Sequence, residues 1–300
     1  MRELFHNKYT GFGLLAVLLW STTVALARSI SEQIGPVSAG ASVYLTGGLM
    51  SFIYLFYAKK DSFRKADFPI RYFISTGTLF LVYTVCLFLA IGLANSRMEA
   101  IELGLVNYLW PGLTILLSLI LLSRKASLWI IPGTILAFMG IFLVLTTGTD
   151  FNWLGFINHV AGNPYAYVCG LVAAVSWALY SNLTRLWKSV DESAFVPFYI
   201  LLTGIFLLLL TFVFPEEHVL SGRLVFEILC LSLSTVSAYV LWEKSMQKGD
   251  LALVLPFSYL TPLFSTIVSA TYLGIFPDTR LWLGCLILIA GSFLSWKSLK

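Results

Sequence analysis

Asn107, Tyr108, Trp110 and Pro111 stand near the middle of an apolar run, Ile101–Leu122. The run is long enough to cross a bilayer as a helix. Lipid offers an amide no hydrogen-bond partner, and a proline frees the carbonyl one turn before it. Gly104, Asn107, Tyr108 and Pro111 fall at i, i+3, i+4 and i+7, which puts them on one helical face. That face must look at other helices or at water. About 150 residues later, Leu255, Ser258, Tyr259 and Pro262 repeat the four spacings inside Leu251–Tyr272. Two proline-interrupted apolar runs in matching positions mark a transporter binding site.

Further stripes pair aromatic rings with hydroxyls. Trp20 adjoins Ser21, Thr22 and Thr23. Trp177, Tyr180, Ser181 and Thr184 share a face, as do Ser232, Thr235, Tyr239 and Trp242, and Tyr83 neighbours Thr84. Aromatic faces suit a flat apolar group, while hydroxyls and amides can hold a polar head. Trp129, Trp153, Trp282 and Trp296 fall near run ends and read as interfacial anchors. The acids Glu102, Glu227 and Glu243 also fall near run ends. Glu102 points roughly 140° from Asn107; interfacial placement or pairing with Arg28 or Arg97 accounts for it, and recognition of a substrate amino group or proton coupling is the sharper alternative. With no acid at mid-bilayer, a substrate's charged head falls to Asn107, Ser258 or the backbone freed at Pro111 and Pro262. His6, His159 and His218 read as solvated connecting residues.

Ten spans must position these groups: Tyr9–Ala27, Pro36–Ala58, Tyr72–Leu93, Ile101–Leu122, Leu128–Thr147, Pro164–Leu186, Ser193–Phe214, Leu224–Met246, Leu251–Tyr272 and Thr279–Trp296. The expected fold class is an all-α polytopic membrane protein. Charged residues make up only 11% of the chain and mean hydropathy is +0.86, where a soluble domain is about a quarter charged. The first run ends in LARSISE, so it reads as a span rather than a cleavable signal peptide. With the N-terminus inside, 15 of the 19 Lys and Arg residues fall on the cytoplasmic side, leaving Arg28, Arg97, Arg223 and Arg280 outside. That bias puts both termini in the cytoplasm.

The chain also repeats itself. At a shift of 157, Gly13, Trp20 and Arg28 land on Gly170, Trp177 and Arg185. At a shift of 151, Tyr108, Leu109 and Pro111 land on Tyr259, Leu260 and Pro262, and Gly133 and Gly140 land on Gly284 and Gly291. Residues 1–150 and 151–300 are therefore expected to be two five-helix units of one bundle. Five is odd, so the second unit inserts upside down, a 5+5 inverted repeat around a central cavity.

Other classes lack support. Nucleotide-binding and hydrolase motifs are absent, and Cys86, Cys169, Cys230 and Cys285 have no metal-ligand spacing. No enzyme activity, cofactor, metal or nucleic-acid partner is expected. An intramembrane enzyme would cluster Asp, His or Lys at an interface, and here those clusters are single-sign Lys and Arg.

The segments LLWSTTVALAR, AIELGLVNYLWPGLTIL, SWALYSNLTR and SYLTP resemble the drug/metabolite transporter superfamily of EamA-like type. Within it they are most similar to the YddG-type aromatic amino-acid exporters of bacterial inner membranes. The resemblance covers essentially the whole chain, and NYLWP is its most specific part. It implies a basket-like bundle that exports Phe, Tyr, Trp and other neutral amino acids. Trp20, Tyr83, Asn107, Tyr108, Trp110, Pro111, Trp177, Ser258 and Tyr259 would line its cavity. Tyr180, Tyr239 and Trp242 are candidates from their spacing alone. The expected function is export by alternating access, with facilitated diffusion as one mode. The alternative keeps the fold and exports a drug, amine or other small metabolite. The expected partners are that small molecule and the bilayer, and the expected state is a monomer.

Overall fold

The computed structural model describes residues 7–58, 70–146, 149–187, 195–213, 215–216, 220–273 and 279–299. Their helices are α1 (Lys8–Trp20), α2 (Thr23–Ile34), α3 (Pro36–Ala58), α4 (Ile70–Gly92), α5 (Arg97–Asn107), α6 (Trp110–Leu121), α7 (Ile130–Thr146), α8 (Trp153–Gly162), α9 (Pro164–Leu186), α10 (Val196–Thr211), α11 (Gly222–Lys248), α12 (Leu251–Ser258), α13 (Thr261–Leu273) and α14 (Thr279–Ser298). Among the described residues there is no strand, only an isolated antiparallel bridge between Ala126 and Leu299. Seven helical stretches are long and apolar enough to cross a membrane, and α7 and α10 are shorter apolar helices.

The first span is longer than its hydropathy suggests. It runs from Lys8 to Ile34 through a turn at Ser21–Thr22. There the hydroxyls of Ser21 and Thr22 donate to the carbonyls of Val17 and Leu19 at 2.8 Å each, and such back-bonding bends helices. The polar turn beyond Ala27 is satisfied across the bundle. Ser29 Oγ and Gln33 Nε2 donate to the Glu227 carboxylate at 2.9 and 3.1 Å.

Between the expected fifth and sixth spans, which end at Thr147 and begin at Pro164, the chain holds a further helix, α8. Asn152 caps it by accepting from Gly155 N at 2.7 Å. Its Trp153, Leu154 and Ile157 are exposed. Only three turns long, α8 cannot cross a bilayer and fits an interfacial helix with an apolar outer face. His159 on α8 is not a loop residue: its Nδ1 lies 3.1 Å from Glu102. Tyr167 Oη also donates to Glu102. Arg28 instead bonds Glu32, so the carboxylate of Glu102 is held by a histidine and a tyrosine. The side chain of Arg97, and His6 and His218, lie outside what is described. Nearby, burial alone would raise the Glu99 carboxyl, yet hydrogen bonds donated by Asn95 and Asn163 hold it below the usual range.

Glycine sets the closest helix approaches. On α7 and α14 the contacts are reciprocal. A Cβ on Gly140 would meet Leu288 N at 2.4 Å, and one on Gly291 would meet Ala137 N at 2.2 Å. Gly133 faces Ser295, and Gly284 faces Val144. As one helix advances the other retreats, so the pair is antiparallel. The α3–α10 pair repeats the device. A Cβ on Gly48 would meet Leu201 Cα at 2.6 Å, and one on Gly204 would meet Leu45 N at 2.5 Å. Both crossings bring backbone against backbone, which only glycine permits. Helix α9 packs along α4, and α1 packs along α11.

Candidate functional site

Four helices bring four tryptophans together. Trp20 of α1 lies 6.3 Å from Trp110 of α6, 5.5 Å from Trp177 of α9 and 5.2 Å from Trp242 of α11, centroid to centroid. Tyr239 joins at 5.6 Å from Trp20, Tyr83 at 4.8 Å from Trp177, and Tyr180 stacks on Trp177 at 5.1 Å. Most contacts are edge-to-face or tilted, the geometry aromatic quadrupoles favour. Trp110, Trp177, Tyr180, Tyr239 and Trp242 are buried. Trp20 and Tyr83 are half-buried. The cluster is most tightly packed at its Trp242 end, where Trp242 and Tyr180 are fully buried.

The packed end is tied by polar bonds. Trp242 Nε1 donates to Ser181 Oγ at 3.1 Å. Tyr72 Oη donates to Glu243 at 2.6 Å, and Tyr180 Oη donates to the other carboxylate oxygen. Tyr44 and Tyr239 share a hydroxyl bond at 2.8 Å, as do Thr76 and Tyr199 at 2.9 Å. Glu243 stands near the end of α11 and is fully buried.

The two proline breaks differ. Between α5 and α6 the ladder tightens, Leu109 N donating to Val106 O at 3.1 Å. Asn107 and Tyr108 there are half-buried, and Pro111 is buried behind them. The Asn107 Oδ1 is buried without a hydrogen-bond partner in the protein. Between α12 and α13, Leu260 N likewise donates to Phe257 O at 2.9 Å. Here the polar groups are spent locally. Thr261 Oγ1 donates to the Ser258 carbonyl at 2.7 Å, the one freed by Pro262, and Ser258 Oγ donates to Leu255 O at 2.5 Å. Tyr259 is buried beside Phe138 of α7, centroids 6.1 Å apart, with its hydroxyl 3.5 Å from Thr134.

Trp20, Tyr83, Trp110, Trp177, Tyr180, Tyr239 and Trp242 thus meet in one cluster. Asn107, Tyr108 and Pro111 adjoin it through Trp110. Tyr259 lies between α6 and α7, beside Phe138 and against Gly112, the residue after Pro111, and Ser258 bonds its own helix. Sequence reasoning passed over Phe80, whose ring lies 4.8 Å from Tyr239 and 5.7 Å from Tyr180, and the Tyr72–Glu243 pair. Phe80 falls one turn before Tyr83, a spacing that could have flagged it. Tyr72 and Glu243 had no local pattern.

The EamA-like transporter family model matches residues 8–146 and again 164–297. The chain belongs to the EamA-like transporter family. This EamA-like protein is 33% identical over 295 residues to a Salmonella typhimurium protein named aromatic amino acid exporter YddG, covering 98% of each chain. It is 32% identical over 295 residues to the Escherichia coli protein of that name, again covering 98% of each. A relative of the same name from Ancylobacter novellus is 27% identical over 286 residues, 94% of this chain and 95% of that one. One solved crystal structure, 24% identical, covers 96% of this chain and 97% of its own at a TM-score of 0.81, and shows the fold. The EamA-like chain is a multi-pass membrane transporter and not an enzyme.

Proposed function

We propose that this protein exports aromatic and other neutral amino acids across the inner membrane. The observation that carries the reading is the cluster of rings brought together by four helices. Its rings offer flat apolar faces, and the helix break just before Trp110 holds the Asn107 amide oxygen without a protein partner. A zwitterion with an aromatic side chain needs both. The exporters at about a third identity support the cargo.

The cluster draws on both halves of the chain. We read residues 1–150 and 151–300 as inverted five-helix repeats, ten spans in all. The α12–α13 pair forms the ninth span, and α7 and α10 the fifth and seventh. Two matches to one family model support this. So do the reciprocal glycine crossings, which a twofold axis in the membrane plane would generate. The packing of α9 on α4 would be mirrored by that of α1 on α11. The Lys and Arg bias supports cytoplasmic termini, and one chain holds a complete site, so a monomer suffices. Transport proceeds by alternating access. The buried Glu243, bonded by Tyr72 and Tyr180, would be one of the contacts that such a cycle breaks and remakes.

The test is counterflow of labelled phenylalanine in proteoliposomes, with and without a pH gradient. Asn107→Ala and Trp110→Ala should each slow exchange by roughly tenfold or more, the loss of a hydrogen bond to a charged head or of a buried ring face. Normal exchange by both variants at equal protein levels would reject the site. Exchange of flat organic cations but of no amino acid would assign the cargo to drugs or amines.

A further inference from the structure

Two faces of the half-helix α5 do different things. Glu99, Glu102, Leu103 and Val106 fall at i, i+3, i+4 and i+7 and share one of them. Gly104, Asn107 and Tyr108 lie about 140° further round the helix. The first face is fastened. Glu102 is 1% exposed. It accepts from Tyr167 Oη of α9, and His159 Nδ1 of α8 lies 3.1 Å from it. Phe156 of α8 packs edge-on against Tyr167, centroids 5.7 Å apart, and so steadies the phenol. Glu99 accepts from Asn95 N at 2.8 Å and from Asn163 Nδ2, just before α9, at 3.1 Å. Leu103 is buried with Ala90 of α4 and Ala166 of α9.

On the second face, a Cβ on Gly104 would meet nothing within 4 Å, and Asn107 Oδ1 is buried without a protein partner. Helix α5 stops at Asn107, and α6 starts at Trp110 after a tightened turn. The rotation of α5 is therefore set by its lateral contacts. Apolar contact is non-directional, whereas a carboxylate that receives donors from two other helices fixes an angle. We propose that Glu102 is a positioning residue, whose bonds to α8 and α9 set the rotation of α5 and so aim the Asn107 amide at the substrate's polar head. This inference rests on the export reading above.

It is tested by the KM for labelled phenylalanine in counterflow. Glu102→Gln and Tyr167→Phe are each measured alone and combined with Asn107→Ala. Alone, each should raise KM about fivefold, the misalignment of one hydrogen bond. The maximal rate should stay within about twofold, as for a loss of binding alone. Combined with Asn107→Ala, neither should raise KM further, because residues that act through one another are not additive. A merely structural role would lower the thermal midpoint and the maximal rate in both backgrounds. An equal rise of KM in both backgrounds would overturn the proposal, as would a wild-type KM in either single variant. Tyr167→Phe decides alone if Glu102→Gln does not fold. Normal exchange by Asn107→Ala would instead reject the site itself, and this inference with it.

Discussion

Glu243 is the residue that ties the packed end of the ring cluster together. Its carboxylate receives Tyr72 of α4 and Tyr180 of α9 while sitting on α11, so three helices meet at one buried group. A buried acid held this way is costly to disturb, because the loss of a donor leaves an acceptor unsatisfied. Tyr180→Phe keeps the ring stacked on Trp177 and deletes only the hydroxyl. It should lower stability by about 1–3 kcal/mol, seen as a drop of several degrees in the thermal midpoint in detergent. An unchanged midpoint would mean that the bond contributes nothing. The residue scale is also where sequence reading did best and worst. The spacing of Trp20, Trp177, Tyr180, Tyr239 and Trp242 was enough to gather them. Glu243 was placed near a run end, where it lies, but distance from a run end measures depth along a helix and not which neighbours cover it. Ser258 and Tyr259 copy the spacing of Asn107 and Tyr108, but spacing cannot tell that Thr261 satisfies the loosened carbonyl where Trp110 has no hydroxyl to do so.

Helices in this bundle approach as closely as their glycines allow. At Gly291 even a methyl group would collide with the backbone of Ala137, 2.2 Å away. Backbone cannot swing aside as a side chain can, so overpacking should be felt in full. Gly291→Ala should destabilise by about 1–3 kcal/mol. Gly11→Ala, in α1 with nothing within 4 Å, should be neutral or stabilise by about 0.5–1 kcal/mol. Equal midpoints for the two variants would refute the reading of the crossing. Hydropathy located the long helices well, because burial in lipid writes a continuous apolar run. It missed α8, whose three turns are too few to register as a span. It also cut the first span short, because Arg28, Ser29, Glu32 and Gln33 look like a loop until Glu227 and their own neighbours satisfy them.

At the scale of the whole molecule, the α7–α14 crossing has a property its two helices do not have alone. Gly133 meets Ser295 while Gly284 meets Val144, and Gly140 meets Leu288 while Gly291 meets Ala137. Each helix offers the other what it receives. That is the isologous contact of a homodimer, written into one polypeptide. Such a contact owes little to the peptide that joins its two sides. A gene cut after Asp150 should therefore yield fragments that dock when made in the same cell, with the tagged first fragment pulling down the second and the pair exchanging phenylalanine. Fragments that are both made but never co-purify would show that the covalent tether, and not the interface, keeps the two sides in register.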